Sequence, residues 1–180
     1  MSRILVISSS LRAGSNSEAL AYAAAKGALD AGNEVETVSL KGKSIGYSVG
    51  CLACQKTKKC VLGDDAAEIA EKVKNADALL FVTPIYYYEM SGQMKTLLDR
   101  MNPLYADEYS FRRVYLLSVA ADDAPETPDR AVAGLGGWIS CFEKASFGGS
   151  LFCGGINDAH RAEKDESALA RAYAFGGSIR

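Results

Sequence analysis

The chain lacks the features that would settle its class at a glance. In 180 residues there is no apolar run long enough to cross a bilayer. A net charge of −2, with lysines and arginines scattered, leaves no electrostatic footprint for nucleic acid. Before the first apolar run stands a single arginine and no secretory leader pattern, so a cytoplasmic protein without membrane or nucleic-acid partners is expected. In that setting stable structural disulfides are not the expected use of its five cysteines. Internal repeats, low-complexity tracts and linkers are also missing. The first polar loop holds no Gly-Lys-Ser/Thr, the dinucleotide Gly-x-Gly-x-x-Gly is absent, and that loop has no thiol for a cysteine phosphatase.

What is present is a globular composition, 48% hydrophobic, of a size that suits one domain over residues 1–180. Strand and helix patterns alternate. Strands are expected at Arg3–Ser8, Glu34–Leu40, Ala78–Thr83, Val114–Val119 and Ser150–Cys153. Helices are expected at Ser17–Ala31, Asp65–Asn75, Ser91–Met101, Thr127–Lys144 and Glu163–Phe175. Ser15-x-x-Glu18 and Asp65-x-x-Glu68 read as capping boxes, and Thr127-Pro128 as a capped start. Pro103 and Gly176-Gly177 read as helix stops. Polar residues interrupt Glu34–Leu40, which suits an edge strand, whereas Ala78–Thr83 suits a central one. Five βα repetitions imply an α/β doubly wound parallel sheet with helices on both faces.

Two loops carry the chemistry. Ser8–Ser17 reads Ser-Ser-Ser-Leu-Arg-Ala-Gly-Ser-Asn-Ser between a strand and a helix. Unpartnered N–H groups and the dipole at a helix start favour an anion, so this loop suits a phosphate, or is a capped polar turn. The third strand empties into Thr83-Pro-Ile-Tyr-Tyr-Tyr-Glu-Met-Ser-Gly. Its tyrosines suit a flat conjugated ring, or else core or subunit contacts. Ligands of such sheets sit at the carboxyl ends of the strands, where both loops emerge.

Ser-Ser-Leu-Arg-x-Gly-Ser-Asn-Ser, then Pro-Ile-Tyr-Tyr, then Ser-Gly-x-x-Lys-x-x-x-Asp-Arg together resemble the NAD(P)H-dependent FMN reductases of the flavodoxin-like fold, and the related iron–sulfur flavoproteins. The resemblance runs from Arg3 to Gly176. It implies a five-stranded sheet in the order 2-1-3-4-5, FMN as cofactor and NAD(P)H as co-substrate. It places Ser10, Arg12, Ser15, Asn16 and Ser17 on the FMN phosphate. Pro84, Ile85, Tyr86 and Tyr87 would line the flavin ring, with Ser91 at that loop's exit, and Ala120, Ala121 and Asp122 would form a third wall. Where the family often has Gly-Ser-Pro-Arg, this chain has Ser9-Ser10-Leu11-Arg12.

The implied activity passes hydride from the nicotinamide to the flavin and electrons on to a small-molecule acceptor such as a quinone or a flavin. An electron-carrying flavoprotein without its own substrate is the alternative. With the flavin carrying the chemistry, no catalytic acid or base is expected, and Glu89 is read as solvated or capping. A homodimer or higher homo-oligomer is also implied, with the tyrosines and Trp138 as interface candidates, while Gly134, Gly136 and Gly137 suggest close packing by the sheet, a second subunit or the flavin.

Cys51, Cys54 and Cys60 have the spacing C-x2-C-x5-C. A four-iron cluster normally needs four thiolates, and Thr57 and Lys58 stand where another cysteine would be expected, so no metal is assigned. The open alternatives are a loop that simply kept its thiols, a redox pair favoured by Lys56, Lys58 and Lys59, and zinc shared with His160. Cys141 and Cys153 read as small buried residues.

Overall fold

The computed structural model describes residues 1–180. Its elements are β1 (Arg3–Ser8), α1 (Asn16–Asp30), β2 (Glu34–Ser39), α2 (Cys54–Thr57), α3 (Asp65–Asn75), β3 (Ala78–Tyr86), β4 (Glu89–Met90), α4 (Gly92–Asp99), α5 (Asn102–Tyr105), β5 (Arg113–Val119), α6 (Asp129–Ile139), β6 (Ser146–Cys153) and α7 (Glu166–Gly177). Five strands pair in parallel in the order β2-β1-β3-β5-β6, and β4 pairs antiparallel with the end of β3. Counting only the long strands, this is the expected 2-1-3-4-5, with the polar β2 at an edge.

The central strands are buried on both faces, and their alternation sorts side chains between two cores. Leu5, Ile7, Leu79, Phe81 and Leu116 pack with Ile69 and Val73 of α3, Met94 and Leu97 of α4, and Leu135 and Ile139 of α6. Ile4, Val6, Leu80, Val82 and Leu117 pack on the other face with Leu20 and Ala24 of α1 and Ala168 and Ala172 of α7.

Several expected boundaries shift for identifiable reasons. β3 continues beyond Thr83 because Ile85 and Tyr86 find partners in Met90 and Glu89 across a hairpin. β6 begins at Ser146, not Ser150: its two glycines sit at a bulge opposite Tyr115, whose ring occupies the space a side chain at Gly148 would need. α6 is shorter than Thr127–Lys144, and Thr127 does not cap it; its hydroxyl donates to Asp122 at 3.0 Å. Asp64, one residue before the expected cap, accepts from the Ala66 N–H and caps α3. Pro103 lies in the first turn of α5 and does not simply end α4.

Gly176 and Gly177 belong to α7. A side chain at Gly176 would overlap the Ala24 carbonyl of α1, and one at Gly27 would overlap the Tyr173 carbonyl of α7. These glycines let two helix backbones touch. Trp138, expected as an interface candidate, packs inward on Phe81, Phe111 and Phe142, with ring centroids 5.8, 5.9 and 4.6 Å away. Gly134 faces Met90 and Glu89, whereas Gly136 and Gly137 face open space. No helix is long and apolar enough to cross a membrane.

Candidate functional site

The loops after β1, β3 and β5 emerge at the same end of the sheet. In the first loop Ser15 is the N-cap of α1, accepting from the Glu18 N–H at 3.1 Å, which is one of the two bonds of the expected capping box. The N–H groups of Asn16 and Ser17, at the first positions of α1, have no partner within the chain. Ser10 and Ser17 are buried beside them. Gly14 turns the loop at φ +63°. Free helix-start N–H groups, hydroxyls and a nearby arginine are the donor set a phosphate monoester takes.

The segment after β6 clamps this loop. Arg12 donates to the Asn157 carbonyl at 2.6 Å, which keeps its exposed guanidinium at the loop. Asn16 donates through Nδ2 to the Asp158 carbonyl and accepts at Oδ1 from the Ala162 N–H, at 2.8 and 2.9 Å. The Asn16 side chain is therefore committed to bracing the loop, and its backbone N–H is left without a partner. His160 donates its N–H to the Gly14 carbonyl, lays its ring on Gly14 and meets Glu163 at 2.9 Å through Nδ1. No sequence signal ties His160 to this loop, because the contact spans most of the chain.

The second loop is bolted to the first by side chains. The Ser9 and Ser91 hydroxyls pair at 2.8 Å, both fully buried, and Ser91 Oγ also accepts from the Met94 N–H to cap α4. Thr83 Oγ1 accepts from the Ser91 N–H at 3.0 Å. Ser91, expected among cofactor contacts, thus acts by fixing the two loops to one another. Pro84 and Ile85 are half-buried and Tyr86 half-exposed on the extension of β3. Tyr87 and Tyr88 form the hairpin turn with φ of 52° and 66°, and Tyr87 is 97% exposed. Tyr87 stands at the tip of the hairpin in solvent. Glu89 accepts from its neighbour Met90 N–H.

The third wall is short. Ala120 is buried between Cys153, whose carbonyl takes its N–H, and Ile156, which donates to its carbonyl. Ala121 and Asp122 are exposed. Asp122 accepts from the Ala124 N–H and the Thr127 hydroxyl, and those bonds, the backbone one foremost, hold its carboxyl below the usual carboxylate range. Its carboxylate shapes the turn. At the opposite end of the strands a groove bounded by Arg3, Glu34 and Glu36 has a charged rim and none of these features.

The cysteine segment lies elsewhere, against the α4–α5 junction. His160 sits on Gly14, so zinc shared among Cys51, Cys54, Cys60 and His160 is not assembled, and no cluster of three or more acidic, thiol or imidazole groups is arranged for a metal. Arg100, not the flanking lysines, reaches a sulfur in this segment. Cys141 is exposed, contrary to expectation, because α6 ends before it; Cys153 is buried, and burial raises its thiol pKa.

A helix start with free N–H groups joined to an apolar and aromatic loop, at the carboxyl edge of a 2-1-3-4-5 sheet, defines a flavodoxin-like protein. The family described as NADPH-dependent FMN reductase matches residues 2–135, and the chain belongs to that family. An iron–sulfur flavoprotein of Methanocaldococcus jannaschii is 35% identical over 102 residues, 57% of this chain and 53% of that protein. One of Methanosarcina thermophila is 36% identical over 98 residues, 54% of this chain and 51% of that protein. The chain thus spans about half the length of these curated relatives. An NAD(P)H:quinone oxidoreductase from Methanothermobacter marburgensis shares the fold, with a TM-score of 0.76, 17% identity and 99% coverage of both chains.

Proposed function

We propose that residues 1–180 form one FMN-binding domain of an NAD(P)H-dependent oxidoreductase with a small-molecule electron acceptor such as a quinone. The observation that carries this is the Ser9–Ser91 hydroxyl pair, which locks a phosphate-ready loop to a loop suited to an aromatic ring. The bound flavin would supply two-electron transfer between the nicotinamide and the acceptor. The protein's part is binding and orientation. The Asn16 and Ser17 N–H groups, the Ser10, Ser15 and Ser17 hydroxyls and the Arg12 guanidinium would hold the phosphate. Pro84, Ile85 and Tyr86 would lie against the ring, and Ala120 and Ala121 would close the third side. No side chain is assigned a proton-transfer role. A cytoplasmic location and assembly into a homodimer or larger oligomer belong to the same reading, the latter checked by sedimentation.

Anaerobic mixing of the FMN-loaded protein with NADPH or NADH tests the activity. Rapid bleaching of the flavin, followed by reoxidation on adding a quinone, is the expected result. Names of the relatives as iron–sulfur flavoproteins favour one second reading, an electron carrier. Flavin that binds but is reduced by neither nucleotide would select it.

A further inference from the structure

We propose that Cys60 and Cys54 form a peroxide-reactive dithiol, a reaction centre separate from the sheet-end site. Both line one cavity with Cys51, between the segment after β2 and the α4–α5 junction, and all three are free thiols. Each of the pair has its own donor. Arg100 Nη2 donates to Cys60 Sγ at 3.2 Å, and Asn102 Nδ2 donates to Cys54 Sγ at 3.1 Å. Both donors and both cysteines line this one small cavity. A permanently charged guanidinium can only donate, so the Cys60 sulfur is the acceptor in this contact.

Arg100 is 2% exposed, an unusual depth for this side chain. Asp64 takes two of its N–H groups at 2.6 and 2.9 Å, and the Gly46 carbonyl takes another at 2.8 Å. Its buried Nε–H has no partner. A buried cation lining a cavity that also presents a hydrogen-bonded sulfur suits a reaction in which an oxygen leaves with negative charge. Hydroperoxides provide that leaving group, whereas a disulfide substrate would release a soft thiolate. Leu52 and Lys58, on either side of Cys54, hold left-handed backbone at φ 56° and 59°, conformations that cost energy for residues with side chains.

The chemistry balances as follows. The Cys60 sulfur attacks the terminal oxygen of the hydroperoxide, the O–O bond breaks, and the thiol proton passes to the departing oxygen. That oxygen leaves as an alcohol, or as water from hydrogen peroxide, and Cys60 becomes a sulfenic acid. Cys54 then attacks the sulfenic sulfur. The S–O bond breaks, the hydroxyl leaves as water with the Cys54 proton, and a disulfide forms. The peroxide has gained two electrons and the two cysteines have lost them. A small dithiol resets the pair by exchange.

Titration of the reduced full-length protein with hydrogen peroxide tests this without reference to flavin. Loss of two of the five free thiols and a Cys54–Cys60 linked peptide in the mass spectrum are expected. In Cys54→Ser, dimedone should trap a sulfenic acid at Cys60; in Cys60→Ser, peroxide consumption should slow by about tenfold or more. Circular dichroism shows whether each variant is folded, and Cys51→Ser should retain the full rate. Dimedone labelling of exposed Cys51 or Cys141 in place of Cys60 would overturn the proposal. Stoichiometric iron or zinc bound through these cysteines would do the same.

Discussion

Arg12 stands in the loop after β1 and reaches the segment after β6. It was legible as a cation in a hydroxyl-rich loop at a helix start, and its guanidinium is tethered there by the Asn157 carbonyl. Because a phosphate contact distinguishes FMN from riboflavin, Arg12→Ala should weaken FMN binding by about tenfold and leave riboflavin binding nearly unchanged. Fluorescence titration with both ligands checks this. Arg100 was not legible, although it lies in the sequence pattern that carries the resemblance. Its partners, Asp64, Gly46 and Cys60, are far away in the chain and meet it only after folding. The Arg100 hydrogen bonds are the largest cause holding the Asp64 carboxyl below the usual carboxylate range. The stability this lends is present above the unfolded carboxylate value of about 3.9 and is lost as pH falls through the lower folded value. Asp64→Asn leaves a buried guanidinium unpaired and should cost about 3 kcal/mol at neutral pH, with a flatter acid limb, as read by urea denaturation across pH.

Elements were legible where one periodicity dominated. Ile4–Ile7 and Leu79–Val82 are apolar throughout and became the doubly covered strands. The end of β3 was hidden because Pro84 reads as a breaker and three tyrosines give no turn signal, yet Tyr87 and Tyr88 adopt the turn that Asn-Gly would favour. Tyr88→Gly should therefore stabilise the chain by about 0.5–1 kcal/mol in thermal denaturation, by relieving left-handed backbone at φ 66°. The glycines of α7 misled for the opposite reason: a helix stop and a close helix crossing use the same residue. Gly176→Ala should destabilise the chain by about 3 kcal/mol or more in urea unfolding, since its methyl group would meet the Ala24 carbonyl and α7 would have to move off α1.

At the scale of the molecule, strand order and site location follow from the same fact. β1 lies between β2 and β3, so the chain reverses its direction of winding there, and the loops after β1 and β3 open beside one another. The sequence showed both loops but not the bolt between them, since Ser9 and Ser91 read as ordinary serines until the sheet brings their hydroxyls to 2.8 Å. The segment after β6 adds a clamp on the first loop through Asn157, Asp158 and His160, which no local pattern announces. The site is thus assembled by three crossovers and one late segment. The most direct measurement of the central claim is the visible absorption spectrum of the purified protein, before and after adding FMN. A protein-bound flavin spectrum, with FMN recovered on denaturation or taken up on addition, is the expected result. A colourless protein that leaves the spectrum of added FMN unchanged would contradict the flavin site.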